Sequence, residues 1–225
     1  ALGILDADLL DTLKRSDTGR TLADHITEEG FDPDGVRRGE SLIDKAKVVA
    51  HIEPHIEQAP VLVDAEVPVG VVTGIRGSFR YRNGRCEGAY SHSGAMPRKY
   101  RQDAMAATAE LIVRMDALWE EMLAAERDVT ITFGEVATNA EQHGFSKVAG
   151  ETHICLDVRS QDQTALDEVQ AQYSAIAEEI GQRRNVKFDF GDISGSTPAL
   201  MNENLIDLMK SAAEEASIPY KVMAS

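Results

Sequence analysis

Between His51 and Pro60 the sequence reads HIEPHIEQAP, which sets His51, Glu53, His55 and Glu57 at every second position. Neutral imidazole and carboxylate are the side chains that zinc and related cations take as ligands. In a β-strand, alternate residues share a face. A strand here displays an imidazole–carboxylate row on one side and Ile52, Pro54 and Ile56 on the other. Such a row is either a solvated face or one wall of a metal site. One wall is not a site, because zinc normally takes at least three protein ligands.

The elements around this row follow from periodicity. Asp6–Asp17 has apolar residues at helical spacing, and Thr21–Gly30 reads as a short helix with Thr21 as N-cap and Gly30 as the stop. Phe31–Ser41 reads as a polar loop, and Val48–Glu57 as the strand that carries the row. Val67–Gly94 is β-type, with a tight-turn signal at Asn83-Gly84. Asp103–Glu126 is the clearest helix, with Leu111, Met115, Leu118 and Met122 on one stripe. Asp128–Ala137 and Glu151–Ser160 alternate as strands, Thr164–Gly181 is an amphipathic helix ending at its glycine, and Asn185–Ile193 is a strand. Glu203–Ser217 is a last helix, followed by a strand at Pro219–Ser225. From Thr73 to Ile193 the order is therefore β-α-β-β-α-β, the ferredoxin-like arrangement.

The bulk numbers bound the function class. The 225 residues suffice for one large domain or two small ones. With 43% hydrophobic and 27% charged residues the chain has the balance of a soluble globular protein. A net charge of −15 argues against nucleic acid and against an anionic membrane surface as partners. Two cysteines, Cys86 and Cys155, make no disulfide framework or CxxC pair, which favours a reducing, cytoplasmic setting. They are expected to be buried strand thiols.

Three blocks resemble a known family. HIEQAPVLVDAEVPVGVVTGIRG (His55–Gly77) resembles the HIEQGPxLE…GVVTGI signature of the dinuclear-metal amidohydrolases: N-carbamoyl-L-amino-acid hydrolases, allantoate amidohydrolases and β-ureidopropionases. Here Ala59 and Val63 stand where the family has Gly and Glu. GAYSHSGAMPRKYRQDA (Gly88–Ala104) is similar to GxAxHAGTTPM…RxDA, and LDVRS (Leu156–Ser160) to LDIR. The resemblance implies an α/β protein with an α+β lid: a ferredoxin-like βαββαβ lid and dimerisation domain, residues 73–193, inserted in a partial zinc-peptidase-like catalytic domain formed by residues 1–72 and 194–225. It also implies a homodimer through the lid.

The resemblance assigns roles residue by residue. His55 is implied as a metal ligand, with Glu57 and Gln58 beside it, Gln58 as a substrate contact. His92 is implied to stabilise the oxyanion as the amide is attacked; its structural alternative is a loop histidine beside Gly94 and Pro97. Arg159 is implied to clamp the substrate carboxylate bidentately; its alternative is a strand-end arginine paired with Asp157 or Asp162. Ser146 and Asn139 fall nearest the family asparagines that contact substrate. His25, His143 and His153 receive no role. The cofactor implied for the whole enzyme is a pair of divalent ions, zinc or manganese, that makes hydroxide and polarises the carbonyl.

The family's HxD motif and Glu-Glu pair match nothing upstream, and its last histidine ligand, in GAGHDA, lies past Ser225. The expectation is therefore a fragment of an amidohydrolase that acts on N-carbamoyl amino acids or ureides such as allantoate. By itself this chain is expected to bind no metal and to be inactive. An aminoacylase or dipeptidase on the same scaffold is one alternative, and a non-catalytic dimerisation or binding module is another.

Overall fold

The computed structural model describes residues 5–225 and divides into two compact units, Ala1–Gln58 and Ala59–Ser225. Among its described residues the first unit holds three short α-helices, α1 (Leu9–Thr12), α2 (Leu22–Glu28) and α3 (Pro33–Arg37), and a 3-10 turn at Lys45–Lys47. Thr21 caps α2 as expected, in a capping box with Asp24, and Gly30 follows it at φ +80°. The Asp6–Asp17 segment is helical over only four residues. The expected Phe31–Ser41 loop contains α3, because Asp32 caps it and Pro33 occupies its first turn. Arg37 ties α3 to α1 through Asp11 at 2.7 Å.

Val48–Glu57 is not a strand. This corrects the reading of the His/Glu row. Among its described residues the unit supplies no neighbouring strand, and the isolated β-bridge there is Lys14 with Thr21. Pro54 also removes a ladder donor. Alternation alone does not hold a strand that has no neighbouring strand to ladder with.

The second unit begins with α4 (Val61–Asp64), β1 (Val69–Val72), β2 (Gly74–Ile75), β3 (Gly77–Glu87) and β4 (Ser91–His92). Then come α5 (Ala104–Ala124), β5 (Thr130–Thr138), β6 (Lys147–Val148), β7 (Glu151–Ser160) and α6 (Gln163–Arg184). It closes with β8 (Lys187–Asp189), β9 (Ile193–Ser196), β10 (Ala199–Leu200), α7 (Glu203–Glu215) and β11 (Tyr220–Met223). The main sheet runs β5-β7-β3-β8, antiparallel throughout, with β9 also on β3. This is the ferredoxin-like strand order that the β-α-β-β-α-β reading expects.

Alternation sorts the sheet into two faces. On β7, Thr152, Ile154, Leu156, Val158 and Ser160 are buried and their neighbours are not. The inward row meets Leu111 and Met115 of α5 and Val169, Tyr173 and Ile180 of α6. Each such fully buried large side chain contributes roughly 1.5–3 kcal/mol. Thr108 of α5 and Thr152 of β7, both fully buried, bond to each other at 2.6 Å. Asp103 and Asp162 cap the two helices. Arg184, in the last turn of α6, pairs with Glu110 of α5.

Three details differ from expectation. Asn83-Gly84 makes no hairpin turn; it lies in a bulge of β3, where the pairing jumps from Tyr81–Leu156 to Gly84–Ile154. The final strand of the motif is split into β8 and β9 around Gly191 at φ +64°. Helix α6 passes Gly181 and stops at Asn185, in the left-handed region. A side chain at Gly181 would meet the Val186 carbonyl at 2.9 Å, so that glycine serves packing rather than termination.

Beside the main sheet, β1 pairs parallel with β11, and β2 pairs with β10. Arg76 binds Asp128 through Nε and Nη2, and the Gln161 amide donates to the Gly74 carbonyl at 2.6 Å. A Cβ on Gly77 would lie 2.4 Å from the Pro198 nitrogen, so the two connecting segments pack backbone to backbone.

Candidate active site

His92 ends the two-residue strand β4, which pairs with β6 so that His92 faces Lys147. The chain then turns back at Gly94, and the ring takes part in the turn. Its Nδ1 accepts from the backbone N–H of Gly94 at 3.1 Å and of Ala95 at 3.2 Å. Backbone amides only donate, so Nδ1 carries a lone pair and the ring proton sits on Nε2. The result is an exposed imidazole whose remaining polar atom, Nε2, is the donor. Arg101 braces the loop by donating to the Met96 and Ser93 carbonyls.

Ser146 lies alongside, its carbonyl accepting from the Ser93 N–H at 2.9 Å. Asn139 opens the preceding turn: its Oδ1 accepts from Glu141 N–H and its Nδ2 donates to Glu151 at 2.8 Å. An open groove of about 690 Å3 runs past this loop, lined by Ser93, Arg101, Thr138, His143, Phe145 and Lys147 among others. His92, Ser146 and Asn139 are thus brought to one end of the sheet.

Arg159 is not brought there. It stands on the outer face of β7 and donates through Nε and Nη2 to one oxygen of Asp157, at 3.1 and 2.7 Å. Burial raises the affinity of the Asp157 carboxyl for its proton, but Arg159 and then Arg80 outweigh it, and the carboxyl is held below its usual range. Arg159 is raised in turn by Asp157. Glu151, the partner of Asn139, and Arg159 lie at opposite ends of β7, roughly 25 Å apart along the strand.

His55 and Gln58 belong to the first unit and are exposed. The His55 Nδ1 is 2.6 Å from the carbonyl of its neighbour Ile56. The group of ligand-type side chains found among the described residues is elsewhere: Glu135, His153 and Cys155, whose donor atoms lie within 4.8 Å of one another. Sequence reading gives none of these a role. The two-residue spacing of His153 and Cys155 was a usable signal; the face that Glu135 takes was not, because a bulge decides it. Cys155 is only half-buried, unlike Cys86.

No protein-family profile matches the chain. Among curated proteins, an N-carbamoyl-L-amino acid amidohydrolase of Geobacillus stearothermophilus is 31% identical over 206 residues, spanning 90% of this chain and 46% of the relative. A ureidoglycolate hydrolase of Arabidopsis thaliana is 32% identical over 183 residues, spanning 80% of this chain and 37% of the relative. The chain belongs to the amidohydrolase family of these enzymes. Among solved structures, a hydantoinase/carbamoylase-family amidase from Burkholderia phymatum superposes with a TM-score of 0.76 at 24% identity, over 94% of this chain and 50% of that one. The chain thus spans half the length of these proteins or less. Among its described residues, no helix is long and apolar enough to cross a membrane.

Proposed function

We propose that the chain is part of a metal-dependent amidohydrolase that cleaves the C–N bond of N-carbamoyl amino acids or of ureides such as allantoate. The observation that carries this reading is the pair of backbone amides donating to His92 Nδ1, which leaves Nε2 as the ring's donor. Attack on an amide carbonyl builds negative charge on oxygen, and a preorganised donor is worth most at that moment. Arg159 is the group for a substrate carboxylate, and in this reading it exchanges one oxygen of Asp157 for the ligand.

A small amide cannot span the length of β7. The reading therefore pairs His92 of one copy with Arg159 of another in a homodimer built through residues 73–193. The outer edge of β5, unpaired among the described residues, and the exposed Val113, Leu123 and Phe145 support that assembly. Residues 1–72 and 194–225 would belong to the catalytic domain. The described residues do not fit a two-metal centre on their own. His55 is a single donor and does not belong to the clustered group, so no step is assigned to a metal here.

The test is ammonia release from N-carbamoyl-L-amino acids and allantoate by the whole protein that contains this segment, with His92→Ala beside it. Loss of one oxyanion donor should lower kcat by roughly 100- to 1000-fold with little change in KM. An unchanged kcat removes His92 from the reaction, and no turnover of either substrate class overturns the proposal.

A further inference from the structure

The outer face of the sheet carries an arrangement that the hydrolase reading does not use. Both neighbours of β7 lose register at Cys155. On the β5 side the pairing passes from Phe133–Leu156 to Glu135–Cys155, leaving Gly134 extra. On the β3 side it passes from Tyr81–Leu156 to Gly84–Ile154, leaving Arg82 and Asn83 opposite Cys155. A bulge re-aims the side chains that follow it. In an unbroken register Gly134 would take the place opposite Cys155, and Glu135 would stand opposite Ile154 and share its inward, buried face. With Gly134 bulged out, Glu135 stands opposite Cys155 on the outer face. His153 shares that face two residues along the same strand.

We propose that Glu135, His153 and Cys155 form a binding site for one thiophilic divalent cation, zinc by the chemistry of its donors. A thiol, an imidazole and a carboxylate are the three side-chain types that zinc takes, and three such ligands leave a fourth position for water. His153 Nδ1 and Glu135 Oε1 are 3.6 Å apart, and Cys155 Sγ and Glu135 Oε2 are 4.0 Å apart. Donors around a tetrahedral zinc lie about 3.4–3.7 Å from one another. All three donor atoms already lie within 4.8 Å of one another, so modest side-chain rotations close the site. Cys155 now donates its S–H to the Arg82 carbonyl at 2.9 Å. On binding, that proton leaves to solvent and the thiolate takes the metal.

The site is separate from the metal-ligand role given to His55, and its test does not depend on hydrolase activity. Zinc binding is measured by equilibrium dialysis under reducing conditions, on this chain and on Cys155→Ser, Glu135→Gln and His55→Ala. Cobalt is then titrated in, and thiolate-to-metal charge transfer is read in the near-ultraviolet. The expected result is one zinc per chain, bound roughly 100-fold or more weakly in Cys155→Ser and in Glu135→Gln. His55→Ala should leave it unchanged, and the cobalt band should vanish with Cys155→Ser. Thermal unfolding checks each variant; if Cys155→Ser does not fold, the exposed Glu135→Gln decides. No zinc bound, affinity unmoved by Glu135→Gln or Cys155→Ser, or binding lost with His55→Ala would each overturn the proposal.

Discussion

Replacing Thr108 by valine removes one half of a buried hydroxyl pair while nearly keeping its volume. Thr108 and Thr152 are both fully buried and join α5 to β7 at 2.6 Å. The single variant strands the Thr152 hydroxyl away from water, at a cost of about 1–3 kcal/mol. The double variant replaces two polar groups by two methyls, so it should cost less than the sum of the singles, with a coupling of about 1–2 kcal/mol. The assay is urea unfolding followed by fluorescence of Trp119, the one tryptophan of the chain. Its indole donates to the Val129 carbonyl at 2.8 Å beside the same core, so it reports on this sheet and its helices. A double variant as unstable as the two singles added together refutes the reasoning.

Three further outcomes are expected. Asp157 titrates below its ordinary value in the folded protein, so its contribution to stability is present above about pH 4 and fades as pH falls through the lowered folded value. Asp157→Asn should destabilise the protein at neutral pH and converge with the parent in acid; a gap that stays constant with pH contradicts this. Burial pushes the Cys86 thiol up to about 12, so a thiol reagent at pH 8 should modify Cys155 in the folded protein and Cys86 only after unfolding. Equal rates at both sites would show that the sheet opens there. A Cβ at Gly150 would lie 2.5 Å from the Tyr90 nitrogen, so Gly150→Ala should cost about 1–3 kcal/mol and disturb the strand pair that holds His92. An unchanged melting temperature would refute that.

The main helices and strands were legible because they obey a single period. Leu111, Met115 and Met122 keep helical spacing along α5, and β7 alternates without interruption. What was hidden depends on partners distant in sequence. The His/Glu row alternates as well as β7 does, yet among the described residues no strand runs beside it. Asn83-Gly84 has the composition of a turn, but β7 and the break at Gly191 draw it into a bulge. The site was legible in part. His92 stood out through its block, while the tautomer came from backbone amides two and three residues on. The pairing of Arg159 with Asp157 follows from their shared face, and Asp162 is instead the partner of Arg127. The distance between the two ends of β7 needs the ladder itself.

The parallel pairing of β1 with β11 also sets an order of folding. Thr73 bonds to Met223 across 150 residues of chain, a costly loop to close in an unfolded polymer. The pairing of β3 with β9 draws together the two ends of the intervening segment, Ser78 against Ser196, before that closure is needed. Once the ferredoxin-like part has formed, the effective loop between β1 and β11 shrinks to the short segments on either side. Nucleation should then begin in α5, α6 and the central strands, with the parallel pair zipping up last.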